Sequence, residues 1–166
     1  MKKFTLLFAL IIFIIGLLNA NHILLPMDEQ QKNHLKAYGI TYRVLENGGK
    51  ANWLLNYRGG SFSMPYSRDI ETECIMRGVS YEIVSEAEIS IIYDKIASPA
   101  VNMDKVALEK APKIAIYAPD EMLPWDDAVA LALTYAEIPH DIIYDKEVIE
   151  GKLGDYDWLH LHHEDF

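Results

Sequence analysis

Cysteine is nearly absent from this chain of 166 residues, in which Cys74 is the only one. A single cysteine excludes an intrachain disulfide, and because none follows the apolar N-terminal run, lipoprotein processing is excluded as well. A nucleophilic cysteine needs an activating base and usually an exposed turn. Cys74 instead falls in a predicted helix beside Ile70 and Ile75, which favours a buried structural thiol.

Basic residues are also scarce, with 15 Lys and Arg against 25 Asp and Glu, and the formal charge is −10. The chain has no cluster of Lys and Arg. An acidic surface repels phosphate backbones, so nucleic acid is excluded as an expected partner. Hydrophobic residues make up 51% of the chain, which is enough to bury a core and argues against wholesale disorder. The length suits one domain, or one domain with a partial second.

The N-terminus holds one long apolar run, Phe4–Leu18, in which Thr5 is the only polar residue. Two lysines precede the run and Ala20 follows it, the layout of a secretory signal peptide over residues 1–20. The run is shorter than the roughly 20 residues that span a bilayer. The sequence therefore predicts export to the periplasm or the extracellular space. The alternative is an uncleaved segment that anchors the protein in the inner membrane, since Asn19 fits a cleavage site less well than alanine would.

Residues 21–98 are predicted to form a small mixed α/β unit. The expected elements are a helix over 27–38, two strands in an antiparallel β-hairpin over 40–57, a helix over 68–77, a strand over 79–84 and a helix over 86–97. The first helix is expected to end at Gly39, because glycine is common just after a helix. Asn47 and the two glycines that follow it suit the turn of the hairpin. Ser67 and Gly78 suit the two ends of the 68–77 helix.

Two glycines, Gly59 and Gly60, stand between Arg58 and Ser61. Successive backbone N–H groups in such a stretch form a nest that binds an anion, to which the arginine would add its charge. The alternative is a tight connection that needs unusual backbone angles. Because the sequence has no strand–loop–helix phosphate fingerprint here, the tight connection is favoured.

Residues 99–112 are predicted to be a connection with a short turn of helix at 103–109, and we place a domain boundary there. The remaining residues, 113–166, alternate between strand and helix. Strands are expected at 113–117, 140–144 and 156–163, and helices at 124–137 and 145–150. Short apolar strands separated by helices are typical of a parallel sheet with helices on its faces. The fold class is therefore α/β, with the first three strands of a doubly wound, flavodoxin-like sheet in this second unit.

Polar residues gather where these strands end, at the edge of an open α/β sheet where ligands bind. They are Asp120, Asp145, His160, His162, His163, Glu164 and Asp165. His160 and His162 would point to one face of a strand and so present two imidazoles to a metal, which also needs a third and a fourth ligand. The competing interpretation is that the histidines hydrogen-bond neighbouring backbone or carboxylates. Asp120 and Asp165 would form an acid–base pair, a weak signal because surface carboxylates at strand ends are common.

Three strands are few for a doubly wound domain, and the chain stops within three residues of the last one. A strand edge without a covering element favours aggregation. We therefore expect an N-terminal fragment of a longer protein.

Five stretches carry a resemblance to a known family. They are WLLNYRGGSF at 53–62, RGVSYE at 77–82, PWDD at 124–127, TYAEIP at 134–139 and YDWLHLHHEDF at 156–166. With them, most of residues 22–166 resembles a family of exported bacterial proteins labelled asparagine synthetase B. The stretch from Lys113 onward is also similar to the start of a class I glutamine amidotransferase-like domain.

The resemblance implies an amidotransferase-like protein that continues past Phe166. It carries no catalytic residue onto this chain, because the elbow cysteine of class I amidotransferases would lie beyond that point. The sequence also lacks the N-terminal cysteine and the pyrophosphate loop of glutamine-dependent asparagine synthetases. The sequence identifies no cofactor, and the expected partner is a small molecule or an envelope component. The alternative is a non-catalytic binding or scaffold protein of the cell envelope with the same fold.

Overall fold

The computed structural model describes residues 21–119, 121 and 127–161. The chain divides into two compact units. The first contains the residues up to Lys32 and Ala51–Leu108, and the second contains Asn33–Lys50 and the residues from Glu109 onward. The predicted signal segment, residues 1–20, lies outside the described residues. Within the described ranges, no helix combines the length and the apolar character that a membrane span requires.

The described elements alternate between strand and helix along most of the chain. In chain order they are β1 (Asn21–Leu25), α1 (His34–Glu46), β2 (Ala51–Leu55), β3 (Ser61–Pro65), α2 (Arg68–Arg77), β4 (Glu82–Ser85), α3 (Glu86–Ile96), β5 (Asp104–Leu108), β6 (Ile114–Tyr117), α4 (Ala128–Ala136), β7 (Asp141–Ile143), α5 (Asp145–Ile149), a 3₁₀ turn (Lys152–Asp155) and β8 (Trp158–Leu161).

The first unit is built on an antiparallel sheet with the strand order β4-β1-β3-β2-β5. One face of this sheet is covered by α3. Leu24, Leu54 and Val84 of the strands are buried against Ile89 and Ile96 of that helix. Complete burial of a side chain of this size contributes about 1.5–3 kcal/mol, so this cluster holds the helix on the sheet.

Both helices of the first unit were predicted, and α2 confirms the prediction made from its end residues. The Ser67 hydroxyl accepts a hydrogen bond from the Ile70 N–H, and α2 ends at Gly78 in the left-handed conformation. Ser85 and Glu88 form a reciprocal capping box at the start of α3. Such caps satisfy N–H and C=O groups that have no partner within the helix, which is why short sequence signals located these ends correctly.

The predicted hairpin over 40–57 is wrong, and the helix predicted over 27–38 begins only at His34 and continues past Gly39. A single helix, α1, runs from His34 through Gly39 to Glu46. The Asn-Gly-Gly stretch ends this helix instead of forming the turn of a hairpin. Residues that tolerate left-handed backbone angles suit both roles, so the stretch alone does not distinguish them. Of the two hairpin strands only the second exists, as β2, and its partners are β3 and β5.

Three strands of the first unit differ from the predictions. The sequence signalled no strand at β1 or β3, and it predicted a helical turn at 103–109, where the structure has β5. β5 is an edge strand with four of its five residues exposed, so it carries no apolar pattern. β3 contains two completely buried serines, Ser61 and Ser63, which also break the expected pattern. The strand predicted at 79–84 begins only at Glu82. The unit is therefore a five-stranded antiparallel sheet, not a hairpin with one further strand.

The second unit confirms the prediction of three parallel strands, in the order β7-β6-β8. On one face, Ile114 and Ile116 pack against Ala130 and Leu133 of α4. On the other face, the Tyr117 hydroxyl donates to Asp145, and the Tyr156 hydroxyl donates to Asp141. Asp145 and Tyr156 belong to the connection between β7 and β8. The β6–β7 and β7–β8 connections therefore lie on opposite faces of the sheet.

Candidate functional site

The strand order of the second unit defines the place where its connections diverge. β6 lies between β7 and β8, so the chain leaves β6 towards one side through α4 and returns to the other side at β8. In open α/β sheets, ligands bind in the crevice outside the carboxyl ends of the strands at this point. The relevant crevice therefore lies between the ends of β6 and β8.

Asp127 and His160 meet at this place. Asp127 precedes α4, and its Oδ1 accepts hydrogen bonds from the N–H groups of Val129 at 2.7 Å and Ala130 at 2.8 Å. His160 lies on β8 opposite Ile116, on the face that α4 covers. Its Nε2 lies 3.0 Å from Asp127 Oδ2. Because a carboxylate only accepts, Nε2 donates in this contact. The carboxylate thus fixes the start of α4 and the end of β8 at once.

The Asp127–His160 contact is largely shielded from water. Asp127 is 3% exposed, whereas about a quarter of the His160 side chain, 24%, remains exposed. A buried carboxylate requires hydrogen bonds to replace its hydration, and Asp127 accepts three from described residues. His160 therefore behaves as in the second interpretation of the sequence, in which the histidine hydrogen-bonds a carboxylate.

The metal site remains a prediction at this edge. Among the described residues, no group of three or more His, Cys, Asp and Glu side chains is placed to hold a metal. His162, the second imidazole of the predicted pair, lies outside the described residues, as do His163, Glu164, Asp165 and Asp120. The predicted acid–base pair of Asp120 and Asp165 is therefore also untested. Of the predicted strand-end residues, the structure describes only His160 and Asp145.

The sequence analysis missed two contributors to the site. Asp127 was predicted only as part of the helix over 124–137, although an aspartate immediately before an apolar helix is also an N-cap signal. Tyr117, the last residue of β6, donates a hydrogen bond from its hydroxyl to Asp145 Oδ1 at 2.6 Å. Its ring lies 5.2 Å from that of Tyr144, centroid to centroid. These aromatic residues lie on the opposite face of the sheet from His160, and nothing in their spacing indicated the contact.

The arginine of the predicted anion loop, Arg58, hydrogen-bonds three other side chains of the protein. Arg58 donates to Asp28 at 2.7 Å, to Glu82 at 2.8 Å and to Gln30 at 2.9 Å. The backbone of Gly59 has φ +79°, and a Cβ there would lie 2.3 Å from the Met27 carbonyl oxygen. Ser61 is completely buried at the start of β3, and its hydroxyl donates to the Arg58 carbonyl. This geometry favours the tight connection over the anion nest.

The Arg58–Asp28 pair predicts a specific dependence of stability on pH. The Arg58 guanidinium lowers the pKa of Asp28 below its ordinary value. A carboxyl whose pKa is lower in the folded state stabilises the fold above its unfolded pKa of about 4. This contribution is lost as the pH falls through the folded pKa. We expect the melting temperature to fall more steeply below about pH 4 in the wild type than in Arg58→Gln.

The check is thermal unfolding followed by circular dichroism from about pH 2.5 to 6, a range centred on the carboxylate pKa values. Arg68→Gln is the matched control, since Arg68 is an exposed arginine of the same unit. It should retain the wild-type slope. Parallel pH profiles for the wild type and Arg58→Gln would show that the pair does not shift the Asp28 pKa.

Cys74 is a buried structural thiol, as the sequence favoured. It is completely buried in α2, and burial raises its pKa to about 12. At pH 8 only about one thiol in ten thousand would then be the reactive thiolate. We expect no reaction with Ellman's reagent within minutes in the native protein, and one equivalent of thiol after unfolding in guanidinium chloride. Fast stoichiometric labelling of the native protein would contradict this placement.

Comparisons with known proteins give no family for this chain. No family model matches it, no curated protein matches it significantly, and no solved structure does so either.

Proposed function

We propose that this chain is the N-terminal portion of an exported protein of the family labelled asparagine synthetase B. Its second unit would then be the beginning of a flavodoxin-like, amidotransferase-like sheet. One observation carries this proposal: the Asp127–His160 hydrogen bond joins two of the sequence stretches on which the resemblance rests. These are PWDD at 124–127 and YDWLHLHHEDF at 156–166. Two stretches far apart in sequence thus meet at the edge where ligands of such sheets bind.

In this proposal the chain supplies position rather than catalysis. Asp127 and His160 hold the start of α4 against the end of β8, and a fixed pair of elements keeps nearby binding groups in place. The nucleophile would be a cysteine at a strand–helix elbow beyond Phe166. The substrate class is a small amide, or an envelope component that carries one. Residues 1–20 would direct export.

Glutamine hydrolysis by the protein from the complete gene tests the proposal. We expect the gene to encode an elbow cysteine past the codon for Phe166, and the purified protein to release ammonia from glutamine. Replacing the elbow cysteine with serine should abolish release, whereas Cys74→Ser is the matched control and should retain it. A gene without an elbow cysteine, together with no ammonia release, would overturn the enzymatic proposal.

A second candidate function is a non-catalytic binding or scaffold role in the cell envelope. The observation that favours it is the inert state of Cys74, the only cysteine of the chain. In this case the protein should be exported and should cosediment with purified cell-wall material without hydrolysing glutamine. Export is checked by N-terminal sequencing, where cleavage after Ala20 would give a mature chain that begins at Asn21. An intact N-terminus on a membrane-bound protein would indicate the anchor.

A further inference from the structure

The second unit has a pocket of about 390 Å³ at the end of the parallel sheet opposite the Asp127–His160 pair. One wall is the last turn of α1, with Tyr42, Leu45 and Glu46. The other walls are the segments 110–114 and 139–141, which lead into β6 and β7. The volume lies within the range of small-molecule pockets, about 300–1,000 Å³.

The walls of this pocket are tied together by hydrogen bonds. The Tyr42 hydroxyl donates to the Pro112 carbonyl at 2.8 Å, which joins α1 to the segment before β6. The Asp157 carboxylate accepts from the Lys113 N–H at 2.8 Å and from the Lys110 ammonium at 2.7 Å. Leu45 and Ile114 form a buried apolar base. The pocket is therefore formed before any ligand binds, which lowers the entropic cost of binding.

Both lysines of the pocket contact another side chain, although only Lys110 has an acidic partner. Lys110 pairs with Asp157, and the Lys113 ammonium lies 4.5 Å from the centre of the Tyr156 ring. Glu46, by contrast, is exposed and makes no hydrogen bond or ion pair to any residue in the described part of the chain. His140 bonds the Ile138 carbonyl through Nδ1, which leaves Nε2 as an acceptor in the neutral ring.

One carboxylate and one imidazole nitrogen beside an apolar base are complementary to a cation that carries hydrogen-bond donors. We propose that this pocket binds a small organic amine, whose ammonium group pairs with Glu46 and whose apolar body lies against Leu45 and Ile114. The ammonium also provides a donor for His140 Nε2. This binding is independent of the function proposed for the opposite edge of the sheet.

Benzylamine is a suitable probe, with benzyl alcohol as its neutral analogue and benzoate as its anionic one. Each is titrated into the purified protein, and amide shifts are followed in two-dimensional ¹H–¹⁵N NMR spectra. We expect saturable shifts at the pocket residues, with benzylamine binding up to about fivefold more tightly than benzyl alcohol, the effect of an exposed ion pair. Benzoate should bind most weakly.

The variant Glu46→Gln separates charge recognition from simple apolar filling. It should remove the preference for benzylamine over benzyl alcohol, while Glu29→Gln, which changes an exposed carboxylate of the first unit, should leave it unchanged. The proposal is overturned if benzylamine gives no saturable shifts, if the shifts map outside the pocket, if benzoate binds as tightly as benzylamine, or if Glu46→Gln retains the preference.

Discussion

Gly39→Ala should lower the free energy of unfolding by about 2 kcal/mol, although alanine is the better helix former. Gly39 lies inside α1 where this helix packs on α4, and a Cβ there would lie 1.9 Å from the Ala136 carbonyl oxygen. The obstacle is backbone, which moves only with the whole helix. Overpacking of this kind costs about 1–3 kcal/mol, occasionally more, and it outweighs the gain of about 1 kcal/mol in helix propensity.

Gly154→Ala is the matched control for this prediction. Gly154 lies in the 3₁₀ turn of the same unit, and a Cβ there would meet no atom within 4 Å. We expect a change within about 0.5 kcal/mol, as for ordinary surface substitutions. Urea unfolding followed by circular dichroism measures both variants. If Gly39→Ala were as stable as the wild type, the close approach of α1 to α4 would be refuted.

Asp127→Ala should lower the free energy of unfolding by about 2–3 kcal/mol, the second large effect. The variant loses the N-cap of α4, which contributes about 0.5–2 kcal/mol. It also leaves the partly buried His160 Nε2 without its carboxylate, and a lost hydrogen bond of this kind costs about 1–3 kcal/mol. Asp127→Asn should cost less, because its side-chain oxygen still caps the helix.

A double-mutant cycle isolates the contact that joins the two sequence stretches. Asp127→Ala and His160→Ala are measured singly and together by urea unfolding. Since the residues are in direct contact, we expect an interaction energy of at least about 0.5 kcal/mol. Asp155→Ala, which removes an exposed carboxylate of the 3₁₀ turn, should be neutral and additive with His160→Ala. Additive effects of Asp127→Ala and His160→Ala would contradict the hydrogen bond on which the proposed function rests.

The starts of α2 and α3 were predictable from the sequence. Ser67 and Ser85 bond N–H groups three residues ahead, so the information for the helix start lies within a few residues of it. The parallel strand β6 was predictable for a related reason. A strand buried on both faces is apolar throughout, and the short run around Ile114–Tyr117 shows this without knowledge of its neighbours.

The elements that were predicted wrongly depend on contacts with residues distant in the sequence. Local rules predict that a helix ends at Gly39. In the structure the helix continues, and the absence of a Cβ lets the Ala136 carbonyl, almost a hundred residues later in the sequence, lie close to Gly39. The buried Ser63 is acceptable in β3 because its hydroxyl bonds that of Tyr93 on α3. β5 is recognisable only from its pairing with β2.

The candidate site was likewise predictable only in part from the sequence. Because strand ends of parallel sheets share one edge, the sequence indicated that edge and His160 within it. It did not indicate that His160 bonds Asp127, since the two are 33 positions apart. That contact depends on the crossing of β8 to the far side of β6.

The sequence by itself determined the acidic charge, the buried character expected of its only cysteine, the helix that Ser67 caps and a run of parallel strands. Each of these follows from composition or from residues within a few positions of one another. Tertiary structure alone decided the helical state of residues 40–46 and the five-stranded antiparallel sheet. It also decided the ion pairs of Arg58 and the hydrogen bond between Asp127 and His160. These follow from packing and hydrogen bonds between residues that only the fold brings together.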